Sequence, residues 1–121
     1  MQTEEKPDDL ALKALAGFIG TVRYYGVWLG ALATDGVKYI MDNGYSWFVT
    51  DALSVIKGTP KLKAESFLTV ELHLAEDSEA DLIITDGNEN TLYRQHYDFT
   101  DAKRDLKLYF SNNVLMLASE Y

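Results

Sequence analysis

This chain has no cysteine, only two prolines and two histidines, and 11 basic residues set against 19 acidic ones. The missing cysteine excludes a disulfide framework, a thiolate nucleophile and any Cys-ligated zinc. The shortage of Lys and Arg leaves a net charge of −8. A basic phosphate-binding footprint is therefore absent, and direct nucleic-acid binding is not expected. No run approaches the roughly 18 apolar residues that a bilayer-spanning helix needs, so no membrane partner is expected either. Residues Met1 to Asp9 have neither the basic start nor the apolar core of a signal peptide, which makes a cytoplasmic protein the expectation. HExxH, multi-histidine clusters, GxGxxG, the P-loop and the GxSxG elbow are all missing, so no catalytic residue, metal or cofactor is assigned.

What is there suits a single domain. A chain of 121 residues, 47% hydrophobic, buries roughly two thirds of its unfolded surface without metal or disulfide staples. Residues 1–8 read as a flexible tail, and 9–121 as one α+β domain. Asp8 or Asp9 can cap a helix carrying Leu10, Leu12, Ala14 and Leu15, with Gly17 as its stop. Phe18 to Tyr25 is β-branched and aromatic, which favours an extended segment without excluding a helix. Thr34 or Asp35 opens a helix with Val37, Ile40 and Met41 inward, closed by Asn43-Gly44. Ser46 caps a longer one whose stripe is Phe48, Val49, Ala52, Leu53, Val55 and Ile56. Lys57-Gly58 ends it, and Pro60 bars its return.

From Ser66 the apolar period changes to two. Leu68, Val70, Leu72 and Leu74 predict a half-buried strand, followed by strands at Asp81–Thr85, Thr91–Phe99, Leu106–Phe110 and Val114–Ala118. Tyr93, Tyr97 and Phe99 are expected on one face of the third. Asp86-Gly87-Asn88-Glu89-Asn90 carries strong hairpin-turn chemistry. The expected architecture is two or three short N-terminal helices packed on one face of a four- to five-stranded antiparallel meander.

Three groups of residues could carry function. His73 shares a strand face with Glu71, and His96 shares one with Arg94 and Asp98, so either imidazole could be oriented as a base. The plainer reading is a solvated sheet face, and in a meander another strand would separate the two histidines. Tyr24, Tyr25, Trp28, Tyr45 and Trp47 form an aromatic set that could anchor a partner, although such residues more often close the core. The acidic set is Glu76, Asp77, Glu79, Asp81, Asp86 and Glu89. If extended, Asp77, Glu79 and Asp81 would project about 6.6–6.8 Å apart from one face and imitate a nucleic-acid backbone in a basic groove. The alternative is a solvated loop and hairpin edge.

Phe18-Ile19-Gly20-Thr21 with Tyr24-Tyr25, Thr34-Asp35-Gly36-Val37-Lys38-Tyr39, and Tyr45-Ser46-Trp47-Phe48-Val49-Thr50-Asp51-Ala52 form an ordered series of motifs. It continues through Asp86-Gly87-Asn88, Tyr97-Asp98-Phe99-Thr100-Asp101 and Leu117-Ala118-Ser119-Glu120-Tyr121. In this series the chain resembles an uncharacterised family of small bacterial and phage proteins, departing from it where Ala118 replaces the usual proline before Ser-Glu-Tyr. The resemblance implies no catalytic residue. It does imply a phage or mobile-element setting, in which small acidic proteins bind and block host machinery.

The expected function is therefore a non-enzymatic acidic inhibitor of a host nucleic-acid-handling or defence complex, such as an anti-CRISPR-like protein, acting on a protein partner with a basic surface. The alternative is a small ligand-binding or enzymatic domain with a pocket lined by Asp35, Tyr39, Trp47 and a histidine. Self-association through an exposed sheet edge is a further expectation.

Overall fold

The computed structural model of the chain describes residues 17, 18 and 20–121. The expected tail 1–8 and, as far as residue 16, the helix capped by Asp8 or Asp9 lie outside the described residues.

Thr34 is extended and its Oγ1 accepts from the Val37 amide at 3.4 Å, so it caps α1 (Asp35–Ile40). Val37 and Ile40 are buried and Met41 is half-buried, the expected inward set. Asn43-Gly44 does not end the coil outright. Residues 41–45 form a wide π-type turn with Gly44 at φ 104°, and Asn43 Nδ2 donates to the Tyr39 carbonyl at 2.8 Å. The chain thus rolls directly into α2 (Ser46–Gly58). Ser46 is its first helical residue rather than its cap, because α2 is entered from a helical turn and has no free-standing N-terminus. Phe48, Val49, Ala52, Leu53 and Ile56 are buried, as the stripe predicts. Helix α2 ends at Gly58 as expected, and after extended Thr59 a separate one-turn helix not foreseen in the sequence, α3 (Pro60–Lys63), opens at Pro60. Proline at the first helical position gives up only an amide that would have had no helical partner.

Among the described residues the sheet has seven strands: β1 (Tyr25–Gly26), β2 (Leu32–Ala33), β3 (Phe67–Leu74), β4 (Ala80–Thr85), β5 (Thr91–Tyr97), β6 (Leu106–Ser111) and β7 (Val114–Leu117). The five expected strands are all present. The extra pair comes from the segment before α1. Their order, β1-β2-β7-β6-β3-β4-β5, is not a meander. Strand β6 returns to lie beside β3, so β6-β3-β4-β5 forms a Greek key. Residues 98–105 make the crossing, tied down by Thr100 N to Ser78 O (2.7 Å) and Leu74 N to Asp105 Oδ1 (2.8 Å). The arrangement follows from side chains. Leu106 and Leu108 need the buried centre, whereas Arg94 and His96 suit the edge that β5 occupies. All pairings are antiparallel except β2 with β7, which is parallel.

Helices cover one face. Leu68, Val70 and Leu72 of β3, Leu82 and Ile84 of β4, Leu108 of β6 and Leu115 of β7 are at most 1% exposed there. Tyr93 and Tyr97 point to the same side and are part-buried, but Phe99 has left the strand and is 76% exposed. The period-two alternation stops at Asp98, where the crossing begins.

The last residues lock the fold. Glu120 accepts from Thr34 Oγ1 (2.5 Å), Gly36 N (3.0 Å) and Leu117 N (2.9 Å), joining β7 to the start of α1. Ser119 Oγ donates to the Phe18 carbonyl at 2.6 Å. A Cβ on Gly36 would meet Leu117 Cδ1 at 2.5 Å and Glu120 Oε1 at 2.6 Å, so only glycine allows this closure. Tyr121 packs edge-on against Phe67 and Tyr109 on the open face of the sheet.

Candidate functional site

Between residues 21 and 33 the chain carries an exposed ridge of Val22, Tyr24, Trp28, Leu29 and Leu32, anchored by the buried Ala31 and Ala33 and held by a specific set of bonds. Asp35 Oδ2 accepts from Val22 N at 2.8 Å, and Thr21 Oγ1 accepts from Asp35 N at 2.9 Å. The Val22 amide, reinforced by hydrogen bonds from Tyr25 and Thr21, holds the Asp35 carboxyl below its usual range. Val27 N to Ala31 O (2.9 Å) closes the loop, and Asn113 Nδ2 donates to Gly30 O at 2.9 Å. Trp28 Nε1 donates to Ser54 Oγ at 2.6 Å, pinning the indole against α2 while half its surface stays in solvent.

Among the described residues the large exposed hydrophobics are Val22, Tyr24, Trp28, Leu29, Leu32, Phe99 and Tyr121. All but the last two belong to this one ridge. Leu29, at its tip, is 52% exposed and left-handed at φ 57°, ψ 31°. For a branched, non-glycine residue that conformation costs about 1–2 kcal/mol. An apolar side chain held outward at such a cost is the kind of strain found at binding surfaces.

Below the ridge a groove of about 580 Å³ opens between β1 and the α1–α2 turn. Tyr24, Tyr25 and Trp28 form one wall, and Lys38, Asp42 and Ser46 form part of the other. Lys38 Nζ lies 2.8 Å from both Asp42 carboxylate oxygens and 5.7 Å from the Tyr25 ring centroid. On its far side Tyr24 also borders a second depression of about 390 Å³ that reaches Met116 and Tyr121.

The aromatic set therefore divides. Tyr24, Tyr25 and Trp28 line the surface groove. Tyr45 is 5% exposed, and Trp47 stacks edge-on to Tyr97 at 5.2 Å, so both close the core. Tyr97 donates to Asp51 at 2.8 Å, and burial followed by that bond holds its phenol well above the ordinary range.

The acidic set also divides. Asp77 and Ser78 are left-handed, at φ 60° and 64°, in a tight hairpin closed by Ala75 N to Glu79 O. Asp77 and Ser78 therefore turn the chain before β4 begins at Ala80, and 77–81 is not the continuous extended run that a regular charge array needs. Two positive-φ residues tighten the turn that joins β3 to β4. Asp86 accepts from Asn88 N, Asn90 N and Asn90 Nδ2, and stands with Glu89 at the other end of β4, roughly 17–20 Å away. Glu79 and Asp81 instead serve His96. Asp81 accepts from His96 Nδ1 at 2.8 Å and Glu79 from Nε2 at 3.0 Å, while Arg94 lies 3.0 Å from Asp81. Asp81 chiefly raises the imidazole pKa, and His96 chiefly lowers that of Asp81.

His73 donates to Glu71 at 2.7 Å, and β4 runs between it and His96 as expected. Both histidines lie on the open face, whereas Trp47 packs on the helix-covered one. The pocket of Asp35, Tyr39, Trp47 and a histidine is therefore not assembled. The Lys38–Asp42 pair opposite Tyr25 escaped the sequence reading, although its i, i+4 spacing was visible.

The fold and groove define a small α+β domain with one helix-covered sheet face, one open face and a rigid aromatic ridge at the sheet edge. The chain belongs to DUF6876, a family of unknown function whose model matches residues 9–121. No curated protein and no solved structure matches it. Among the described residues, no helix is long and apolar enough to cross a membrane.

Proposed function

We propose that this chain is a non-enzymatic binding protein that seats a protein partner on the ridge formed by Tyr24, Trp28 and Leu29. One observation carries the reading: a pinned, half-exposed Trp stands beside a Leu held outward in a left-handed backbone. Trp and Tyr dominate binding hot spots, and a ridge already ordered by Asp35, Asn113 and Ser54 loses little entropy on docking. The net charge of −8 favours a partner with a basic surface. Nucleic-acid-handling and defence complexes carry such surfaces. An inhibitor of phage or mobile-element type that occludes one is the specific form of this reading, with the ridge, not the 76–81 turn, making the central contact.

The test is affinity capture from host cells with the wild-type chain, W28A and L29D side by side. Both positions are exposed, so folding should survive, as far-UV CD would verify. A partner retained by wild type and lost from both variants is the expected result. Equal recovery by all three would overturn the ridge as the docking surface.

A further inference from the structure

The groove beneath the ridge already holds a cation. Lys38 Nζ sits between the Asp42 carboxylate, at 2.8 Å, and the face of Tyr25, at 5.7 Å. An ammonium between a π face and a carboxylate is stabilised by both, so the site is built for positive charge. Lys38 uses only part of the space. The groove is about 580 Å³, and among the described residues no cation lies over Trp28 or Tyr24. Asp42 remains largely solvent-accessible, with 58% of its side chain exposed.

From this we infer that the groove receives an arginine side chain from a basic segment of the partner, displacing Lys38 from Asp42. Guanidinium is planar, stacks on aromatic faces, is more weakly hydrated than ammonium and pairs carboxylates through two parallel N–H donors. Trp28 and Tyr24 offer the faces and Asp42 the fork's acceptor. A lysine would gain less, because the compact ammonium position over Tyr25 is occupied from within. Lys38 is thus an internal competitor that favours arginine over lysine. The net charge of −8 draws a basic segment toward the surface, while the groove selects its side chain. This inference rests on the ridge being the docking surface, and it names what enters beside it.

The probe is acetyl-(Gly-Arg)₃-amide, with acetyl-(Gly-Lys)₃-amide as comparison, titrated into the ¹⁵N-labelled full chain. The reporters are the Trp28 indole N–H and the backbone amides around Lys38 and Asp42. The arginine peptide should shift these signals and saturate at a concentration at least about threefold lower than the lysine peptide. D42N should weaken it about fivefold or more, and K38M should tighten it roughly two- to fivefold by removing the competing pair. Asp42 is exposed and Lys38 half-buried at the groove, and unshifted core resonances report that each variant is folded. Equal response to both peptides, shifts confined to the 76–81 turn, or K38M and D42N affinities equal to wild type would each overturn the inference. If the arginine peptide fails while W28A still abolishes capture, only the arginine assignment falls. If the peptide binds but W28A leaves capture unchanged, the docking reading falls instead.

Discussion

Replacing Glu120 with alanine should cost more stability than any other change to an acidic side chain that is not buried. Its carboxylate accepts from Gly36 N and Leu117 N, both in buried residues, and from the hydroxyl of Thr34, which is 3% exposed. Each buried donor left without an acceptor costs about 1–3 kcal/mol. The vacated space admits water that restores part of this, and bonds to one carboxylate are not additive. The expected loss is therefore about 2–4 kcal/mol. With a urea m-value of about 1.5–2 kcal/mol/M for a chain of this size, the midpoint should fall by about 1–2.7 M. Glu120→Gln keeps one acceptor oxygen but presents an amide donor where an amide N–H already points, and should lose about 1–2 kcal/mol. Glu89→Ala, at an exposed hairpin, is the control and should change stability by less than about 0.5 kcal/mol. Equilibrium urea unfolding followed by far-UV CD reads all three. If Glu120→Ala fell within about 0.5 kcal/mol of wild type, the tail would not be the lock described here.

Three further outcomes follow from the same contacts. Asp81 raises the His96 pKa and His96 lowers that of Asp81, so their mutual stabilisation is full between roughly pH 4 and 6.5. It fades as pH rises through the raised imidazole value or falls through the lowered carboxyl value. In D81N the His96 pKa, followed by NMR titration, should drop toward 6.5, and an unchanged value would remove Asp81 as its main partner. Leu29→Gly relieves about 1–2 kcal/mol of left-handed strain against about 0.4–1 kcal/mol of added unfolded-state entropy, so urea unfolding should show a stability equal to wild type or up to about 1.6 kcal/mol higher. Partner capture should fall in the same variant, whereas a loss of more than 1 kcal/mol would show that the side chain packs rather than projects. Leu82→Ala, fully buried under the helices, should cost about 2–5 kcal/mol in the same assay.

The parts of this fold that were legible in the sequence are those set by local period and turn chemistry. Leu68, Val70 and Leu72 alternate because one sheet face is buried, and Phe48, Val49, Ala52, Leu53 and Ile56 recur because α2 covers it. What escaped depends on contacts distant in the chain. Nothing near Leu106 announces that β6 pairs with β3 rather than β5, and the choice lies in which strand can tolerate an edge. Trp28 and Trp47 look alike in the sequence. One is pinned outward by Ser54, which lies 26 residues away, and the other is stacked inward on Tyr97. The closing Ser-Glu-Tyr is the sharpest case. Read locally it is a polar end to a strand, yet its glutamate ties the chain terminus to a glycine 84 residues earlier. That glycine begins the helix whose Lys38 and Asp42 form one side of the groove. The tail motif thus acts on the candidate site indirectly. By fixing the start of α1 it sets where the Lys38–Asp42 pair faces Tyr25, so Glu120→Ala should weaken arginine-peptide binding as well as stability. Weakened binding under conditions where the variant remains fully folded would separate the two effects.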